Sequence, residues 1–217
     1  MLKMVGPEPT PLGPMWLIEG DVVSDTLRAG KNWDSHVYEA LEPHLEQDAA
    51  VIDVGANVGP HALRFAEKAG RVICFEPHPV MQFCLRANMR GRRWECHGGL
   101  YSRQVSLRVR QEEGNSPSSL TWLPSEGEVD AGPYFTSERV SAIKVDAQGA
   151  DLHCLLGLKE VIERDKPAIC FEFESVLSAL HGHEWEDYME VLMRWGYSVK
   201  QVQDKHQDFL ALCGGEK

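Results

Sequence analysis

The sequence predicts an α/β protein with a mostly parallel sheet and an antiparallel hairpin at one edge. Apolar strand-like runs alternate with helical segments through the middle of the chain, and this alternation is typical of parallel strands joined by crossover helices. Near the C-terminus two strand-like runs, GYSVKQV and DFLALC, are separated by a short polar connection, which favours a hairpin. With 217 residues, the chain is expected to form one main domain at residues 33–217, preceded by an N-terminal arm and short strand at residues 1–32.

The N-terminal elements have the least regular pattern. Residues 1–14 contain four prolines and two glycines, a composition that continues neither a helix nor a central strand, so we expect a loosely ordered arm. The apolar run at residues 15–23 predicts a strand or hairpin. Apolar residues at a spacing of four then predict a helix over residues 34–46.

The main sheet and its helices are predicted to follow. Strands are expected at residues 50–54, 71–76, 94–97, 141–146 and 168–174. Helices are expected at residues 60–69, 78–89, 149–163 and 184–194. The intervening stretch at residues 111–138 is rich in glycine, proline, serine and glutamate, and we predict a long loop there that faces the substrate.

Composition and charge exclude several classes of protein. The 22 Lys and Arg residues against 33 Asp and Glu residues give a net charge of −11, which repels polyanions, so no nucleic-acid partner is expected. No apolar run reaches the roughly 18 residues of a membrane span, and the N-terminus lacks the apolar segment of a signal peptide. Six cysteines are scattered without a CxxC pair, which is typical of a reduced, cytoplasmic protein without a zinc site.

The strongest motif is VIDVGANVG at residues 51–59, where an apolar strand ends in a glycine-rich turn and a helix begins. Gly55 and Gly59 lack side chains, so we expect a ligand to approach the backbone there. The next predicted strand ends at Glu76, where an acid is placed to accept hydrogen bonds from ribose hydroxyls. This succession of strand, turn, helix, strand and acid predicts a nucleoside-binding site.

The spacing within the turn distinguishes between nucleosides. Asn57 stands where the dinucleotide fingerprint has its second glycine, which lies close to the pyrophosphate. A ligand without pyrophosphate fits better, and S-adenosylmethionine (SAM) combines an adenosine with an amino acid and a sulfonium. The carboxylate of Asp53 is expected near the ammonium or sulfonium of SAM, where it would repel a diphosphate.

Four sequence blocks resemble the FkbM family of SAM-dependent methyltransferases. They stand in the family's order, and the similarity extends over roughly residues 33–200: VIDVGANVG, FEPHP, IKVDAQGAD and PAICFE. The resemblance implies a Rossmann-like class I methyltransferase fold, SAM as the cofactor, and methyl transfer to a hydroxyl group on a sugar, glycan or secondary metabolite. The candidate cofactor-binding residues are Asp53, Gly55, Asn57, Gly59, Glu76 and Pro77.

Two strand-end carboxylates are the candidate catalytic residues. Asp146 ends the buried strand SAIKVD, and Glu172 ends the next predicted strand. Ligands of open α/β sheets bind beyond the carboxyl ends of the strands, so we expect these side chains near the reacting centre. Methyl transfer requires a positioned acceptor oxygen and the removal of its proton, for which one base is enough. Alternatively, either carboxylate only caps the helix that follows it.

Two further functions stay open at this point. The family usually has Glu where this chain has Gln148, which is compatible with a SAM-binding module that has lost turnover. An NAD-dependent oxidoreductase is disfavoured because the GxGxxG fingerprint is absent. His181 and His183 are neighbours without further ligands at metal spacing, so no metal is expected. The expected partner is a small-molecule or carbohydrate methyl acceptor, with no nucleic acid and no membrane.

Overall fold

Within the residues that the structure describes, the chain forms an N-terminal hairpin, a seven-stranded main sheet flanked by helices, and a four-stranded second sheet. The structure is a computed structural model that describes residues 2–110, 116, 120–125, 127, 129–203 and 207–214. The strands are β1 (Met4–Thr10), β2 (Gly13–Ile18), β3 (Ala50–Val54), β4 (Arg71–Phe75), β5 (Trp94–His97), β6 (Gly99–Leu100), β7 (Val105–Arg110), β8 (Thr121–Pro124), β9 (Val129–Gly132), β10 (Val140–Val145), β11 (Ala168–Glu172), β12 (Tyr197–Gln201) and β13 (Asp208–Cys213). The helices are α1 (Val22–Arg28), α2 (Ser35–Leu41), α3 (Pro60–Phe65), α4 (Pro79–Asn88), α5 (Asp151–Gly157), α6 (Lys159–Asp165), α7 (Ser175–Leu180) and α8 (Trp185–Arg194).

The main sheet has the strand order β12, β13, β11, β10, β3, β4 and β5. The neighbouring strands from β11 to β5 are parallel, whereas β13 is antiparallel to both β11 and β12. The predicted mostly parallel sheet with an antiparallel edge hairpin is therefore confirmed. Because β3 lies in the middle and the chain crosses over to both of its sides, the carboxyl ends of β3, β4 and β10 meet where such sheets bind their ligands.

The N-terminal segment is an ordered hairpin, so the prediction of a loosely ordered arm at residues 1–14 is wrong. Both strands of a two-stranded sheet have an open edge, where prolines that donate no hydrogen bond are tolerated, and Pro9 lies opposite Pro14 in the register. Met15 and Leu17 of β2 are fully buried in the same core as residues of α4. This burial anchors the hairpin to the rest of the protein.

The core lies on both faces of the main sheet. Ile52 and Ile73 belong to the apolar cluster on one face, and Val51 and Val72 belong to the cluster on the other. Side chains alternate between the two faces along a strand, and helices cover both faces of a parallel sheet, so these strands are apolar at nearly every position. Burying one such side chain stabilises the fold by about 1.5–3 kcal/mol.

Three predicted helices differ from the structure in their extent. The helix predicted at residues 60–69 ends at Phe65. The helix predicted at residues 34–46 passes into a 3-10 turn at Glu42–His44, because Pro43 lacks the N–H group that an α-helix requires. The helix predicted at residues 149–163 is divided at Leu158 into α5 and α6. Neither α1 nor α7 was predicted. None of the helices in the described part of the chain combines the length and apolar character that crossing a membrane requires.

The second sheet contradicts part of the predicted long loop at residues 111–138. This stretch contains β8 and β9, which join β6 and β7 in the order β6, β9, β7, β8. Glycine, proline and serine residues surround these two short strands, so the local sequence did not predict them. The strands are stabilised by burial of Leu120 and Trp122 in the core. The positions of the stretch that lie outside the described residues are 111–115, 117–119, 126 and 128.

Candidate functional site

A cleft of about 960 Å³ lies at the carboxyl ends of the central strands. The turn after β3 contributes Gly55 and Asn57 to its wall, and Glu76 follows β4. Lys144 of β10 and Asp146 after this strand lie on the wall as well. The structure therefore brings predicted site residues from three separate strand ends into one cleft.

In the glycine turn after β3, other parts of the protein lie so close to Gly55 and Gly59 that no side chain fits there. Gly55 has a φ of 72° and Gly59 a φ of 96°, which favour glycine. A Cβ atom on Gly55 would lie 1.8 Å from the carbonyl oxygen of Asp146, and one on Gly59 would lie 2.8 Å from Cδ1 of Leu85. A ligand was expected to approach the backbone at both glycines, but the protein's own atoms fill the space above them, and Gly55 lines the cleft with its backbone.

Glu76 is held at the end of β4 by two backbone N–H groups. Its Oε2 accepts a hydrogen bond from N of Asn57 at 2.9 Å, and its Oε1 accepts one from N of His78 at 2.8 Å. The residue is 5% exposed, and burial raises the pKa of Glu76 to about 7, although the two hydrogen bonds lower it. Each carboxylate oxygen keeps a second lone pair for a donor in the cleft.

The part of the cleft around Glu76 is otherwise apolar. Phe75 of β4, Pro77 after this strand and Met81 of α4 line it, and Trp122 lines it from the second sheet. Pro77 was predicted to bind the cofactor, whereas Trp122 was predicted only as part of a substrate-facing loop. Apolar walls beside one buried carboxylate are suited to a flat aromatic base that is joined to a hydroxylated sugar.

A buried lysine links the ends of β3 and β10. The Nζ atom of Lys144 donates to the carbonyl of Gly55 at 3.0 Å and lies 3.5 Å from both Oδ1 of Asp53 and Oδ2 of Asp146. Burial lowers the pKa of Lys144, but the carboxylates of Asp146, Asp53 and Asp34 raise it by more, so the ammonium stays charged. Lys144 was not predicted as a site residue, although a lysine within the apolar run SAIKVD is an unusual feature.

Asp53 is placed behind this lysine and is not among the described residues that line the cleft. It is fully buried, and its carboxylate oxygens have no hydrogen-bond partner in the described part of the chain. Burial raises the pKa of Asp53 to about 6, and the charge of Lys144 lowers it. In this position Asp53 acts on the cleft through Lys144.

The two predicted catalytic carboxylates are bridged by Gln148. Its Nε2 donates to Oδ1 of Asp146 at 3.2 Å and to Oε2 of Glu172 at 3.4 Å. Asp146 and Gln148 line the cleft, and Glu172 is connected to it through Gln148. Burial, and then the negative charges of Asp146, Asp151 and Asp208, raise the pKa of Glu172 well above its ordinary value, so Glu172 retains its proton at neutral pH.

A different carboxylate caps the turn after β10. Asp151 is almost fully buried and accepts hydrogen bonds from N of Ala147 at 2.8 Å and N of Gly149 at 3.0 Å. Burial raises the pKa of Asp151 to about 7, although these hydrogen bonds lower it. Neither α5 nor α7 has a side-chain cap at its N-terminus, so the alternative in which Asp146 or Glu172 only caps the following helix does not hold.

Three histidines gather beside Tyr101, which lines the cleft. The Nε2 atoms of His153 and His183 are 3.2 Å apart, and the ring of Tyr101 stacks on His153 at 4.1 Å. The Nδ1 atom of His181 lies 3.5 Å from the hydroxyl of Tyr101. Among the described residues, no group of three or more side chains converges as metal ligands.

The chain is similar in fold to solved methyltransferase structures. No protein-family model and no curated protein matches it. The methyltransferase FkbM from Methylobacillus flagellatus KT aligns with a TM-score of 0.48 and 18% identity over 77% of this chain, which spans 44% of the length of that one.

Two further structures align over most of both chains. The TehB-like SAM-dependent methyltransferase from Corynebacterium glutamicum has a TM-score of 0.50 and 13% identity, over 86% of this chain and 90% of that one. The magnesium protoporphyrin IX methyltransferase ChlM from Synechocystis, solved with bound SAM, has a TM-score of 0.51 and 12% identity, over 89% of this chain and 84% of that one. At these identities the likeness concerns the fold, which is the Rossmann-like class I methyltransferase fold.

Proposed function

We propose that this protein is a SAM-dependent methyltransferase that methylates a hydroxyl group on a sugar, glycan or secondary metabolite. The observation that carries the proposal is Glu76, a buried carboxylate that two backbone N–H groups hold beside an apolar part of the cleft. An acid at this strand end accepts hydrogen bonds from ribose hydroxyls in nucleoside-binding α/β folds. The resemblance of four sequence blocks to the FkbM family supports a hydroxyl group as the acceptor.

The residues of the cleft fit SAM. The cleft is open to solvent, so a methyl acceptor can reach it from outside. Phe75, Met81 and Trp122 offer apolar contacts for adenine, and Glu76 offers acceptors for the ribose. Asp146 offers a negative charge for the cationic groups of SAM. The TehB-like methyltransferase and ChlM use or bind SAM, which supports the same cofactor here.

The proposed chemistry assigns separate tasks to the groups around Asp146. SAM, when bound, supplies a methyl group that is activated by the positive charge of its sulfur. Asp146 faces the cleft and accepts the proton of the acceptor hydroxyl. Gln148 orients the Asp146 carboxylate, and its second hydrogen bond to Glu172 fixes the amide. Lys144 of β10, 3.5 Å away, holds Oδ2 of Asp146.

The acceptor is proposed to be a small molecule or carbohydrate. The chain carries a net charge of −11, and the charges of Asp146 and Asp208 raise the pKa of the nearby Asp34, as burial does. This negative field repels phosphate-rich partners such as nucleic acid. All six cysteines carry free thiols, which supports the further proposal of a cytoplasmic location.

Isothermal titration with S-adenosylhomocysteine (SAH) tests the cofactor. The unmodified protein is expected to bind SAH, and Glu76→Ala is expected to weaken binding by about 1–3 kcal/mol, or roughly 5- to 150-fold, because the ribose hydrogen bonds are lost. Asp146→Asn is the matched variant in the same cleft, expected to lower methyl transfer while largely sparing SAH affinity. Absence of SAH binding, or binding of NADH instead, would refute the proposal, and an equal loss in both variants would refute the assigned roles.

A SAM-binding module without turnover is the second candidate function. It is favoured by Gln148, which stands between Asp146 and Glu172 where the similar family usually has a glutamate. Incubation with SAM and a panel of sugars and alcohols separates the two candidates. An enzyme produces SAH together with a methylated acceptor, whereas a binding module retains SAM unchanged.

A further inference from the structure

One histidine of the cleft has no role in the chemistry proposed above. His61 is the second residue of α3 and lines the cleft, as does Lys144, whose charge acts on the ring of His61. We call the part of the cleft formed by these two residues the α3 corner. Its residues come from α3 and from β10, so the corner exists only in the folded protein.

The ring of His61 is enclosed but incompletely hydrogen-bonded. His61 is 4% exposed and stacks on Phe65 with a centroid distance of 5.9 Å. Its Nδ1 atom is buried and has no hydrogen-bond partner among the described residues. A buried N–H without an acceptor is rarer in proteins than a buried acceptor without a donor, so the neutral ring keeps its proton on Nε2. The imidazole thus offers a bound molecule one N–H donor.

The charges around His61 keep the ring neutral. Burial lowers the pKa of His61 well below its usual range, and the positive charges of Lys144 and Arg64 lower it further. The α3 corner therefore combines a neutral donor with the ammonium of Lys144, while the carboxylate of Asp146 lies 3.5 Å from that ammonium. A neutral donor, a positive charge and a carboxylate in one part of the cleft are complementary to the charged groups of a zwitterionic amino acid.

We propose that His61 is a specificity-determining residue whose imidazole donates a hydrogen bond to the carboxylate of the amino-acid end of SAM. The inference rests on the proposed function, because the adenosine part of SAM has to occupy the cleft around Glu76. According to this inference, His61 makes the protein bind an adenosine ligand that carries an amino acid more tightly than one that does not.

Isothermal titration with two probes tests this assignment. SAH carries the amino-acid end, whereas 5′-methylthioadenosine keeps the adenosine and the sulfur but lacks the amino acid. His61→Leu is expected to weaken SAH binding about 10- to 100-fold, which is the range for a hydrogen bond to a charged group, and to change methylthioadenosine binding less than twofold. His61→Gln, which retains an N–H donor, is expected to recover part of the SAH affinity.

His181→Leu is the matched control. His181 also has a buried ring nitrogen without a hydrogen-bond partner in the described part of the chain, but it is not among the described residues that line the cleft. Its substitution is expected to leave the affinity for both probes unchanged, and thermal unfolding of each variant verifies that it folds.

The possible outcomes separate this inference from the proposed function. If the unmodified protein binds neither probe, the proposed function is wrong. If it binds both probes equally tightly, or if His61→Leu weakens both to the same extent or neither, the assignment of His61 is wrong while the proposed cofactor stands.

Discussion

The two ends of the cleft hold their carboxylates in different ways. At one end the backbone N–H groups of Asn57 and His78 hold Glu76. At the other end the side chains of Lys144 and Gln148 hold Asp146. Backbone donors are present whatever side chains the chain carries, whereas side-chain partners are lost by a single substitution. The Glu76 end is therefore a property of the fold, and the Asp146 end is a property of particular residues.

Because side chains hold Asp146 and backbone groups hold Glu76, we expect substitutions at the Asp146 end to lower the free energy of unfolding more. Lys144→Met removes the cation beside Asp53, which is fully buried, and an uncompensated buried charge typically costs about 3–5 kcal/mol. We expect the free energy of unfolding to fall by this amount at pH 7.5, as measured by urea denaturation. The double variant Asp53→Asn/Lys144→Met should recover a large part of the loss. A loss below about 1 kcal/mol in Lys144→Met would show that the ion pairs do not support this end of the cleft.

The Glu76 end is expected to make stability depend on pH. The pKa of Glu76 is about 7 in the folded protein, against an ordinary value of 4.5. Because the folded-state pKa is raised, the protonated Glu76 side chain contributes fully to the free energy of unfolding below about pH 4.5. This contribution is lost as the pH rises through about 7. The difference between the two pKa values corresponds to a loss of about 3 kcal/mol in the free energy of unfolding.

Urea denaturation at pH 4.5 and pH 8 measures this effect. From pH 4.5 to pH 8, the free energy of unfolding of the unmodified protein is expected to fall by about 3 kcal/mol more than that of Glu76→Gln, because glutamine does not titrate. Glu76→Ala also removes the acid, so it should show the same reduced pH dependence despite its different packing. Parallel pH profiles for the unmodified protein and both variants would mean that Glu76 is not held in a desolvated environment.

The smallest effect on the free energy of unfolding is expected from substitutions of Gln148, which bridges Asp146 and Glu172. Gln148→Glu replaces the bridging donor with a third acid beside Asp146 and Glu172. We expect a loss of about 1 kcal/mol of unfolding free energy at pH 8, which decreases at pH 5 as the introduced glutamate becomes protonated. Gln148→Leu removes the donor without adding charge, so its loss should depend less on pH. Equal stability of Gln148→Glu at both pH values would show that the acids here interact only weakly.

The elements that the sequence predicted well have a strong local signal. The central strands, such as AVIDV at residues 50–54, are apolar at nearly every position because both faces of the sheet are covered. The strands β8 and β9 were missed because glycine, proline and serine surround them and their stability comes from burial of Trp122 in the core. The N-terminal hairpin was missed for a similar reason, since its prolines are compatible with a strand only at a sheet edge.

Some residues of the candidate site were predicted from local sequence, and others became apparent only in the folded structure. Gly55, Asn57 and Glu76 were found from the spacing of a turn and the two strands beside it, and the structure places them together in the cleft. Lys144 and His61 were missed, because nothing in their immediate sequence shows that they face a cleft or what surrounds them. Asp53 was expected at the ligand, but its side chain is buried beside Lys144.

The sequence by itself determined the α/β class, the mostly parallel sheet and the glycine turn, because hydrophobic periodicity and the conformational freedom of glycine depend on neighbouring residues. The tertiary structure alone decided which polar groups meet. Lys144 reaches the carbonyl of Gly55, 89 residues away in sequence, only because β3 and β10 are adjacent strands. Charge and hydrogen bonding act over a few ångströms in space, and the fold sets those distances.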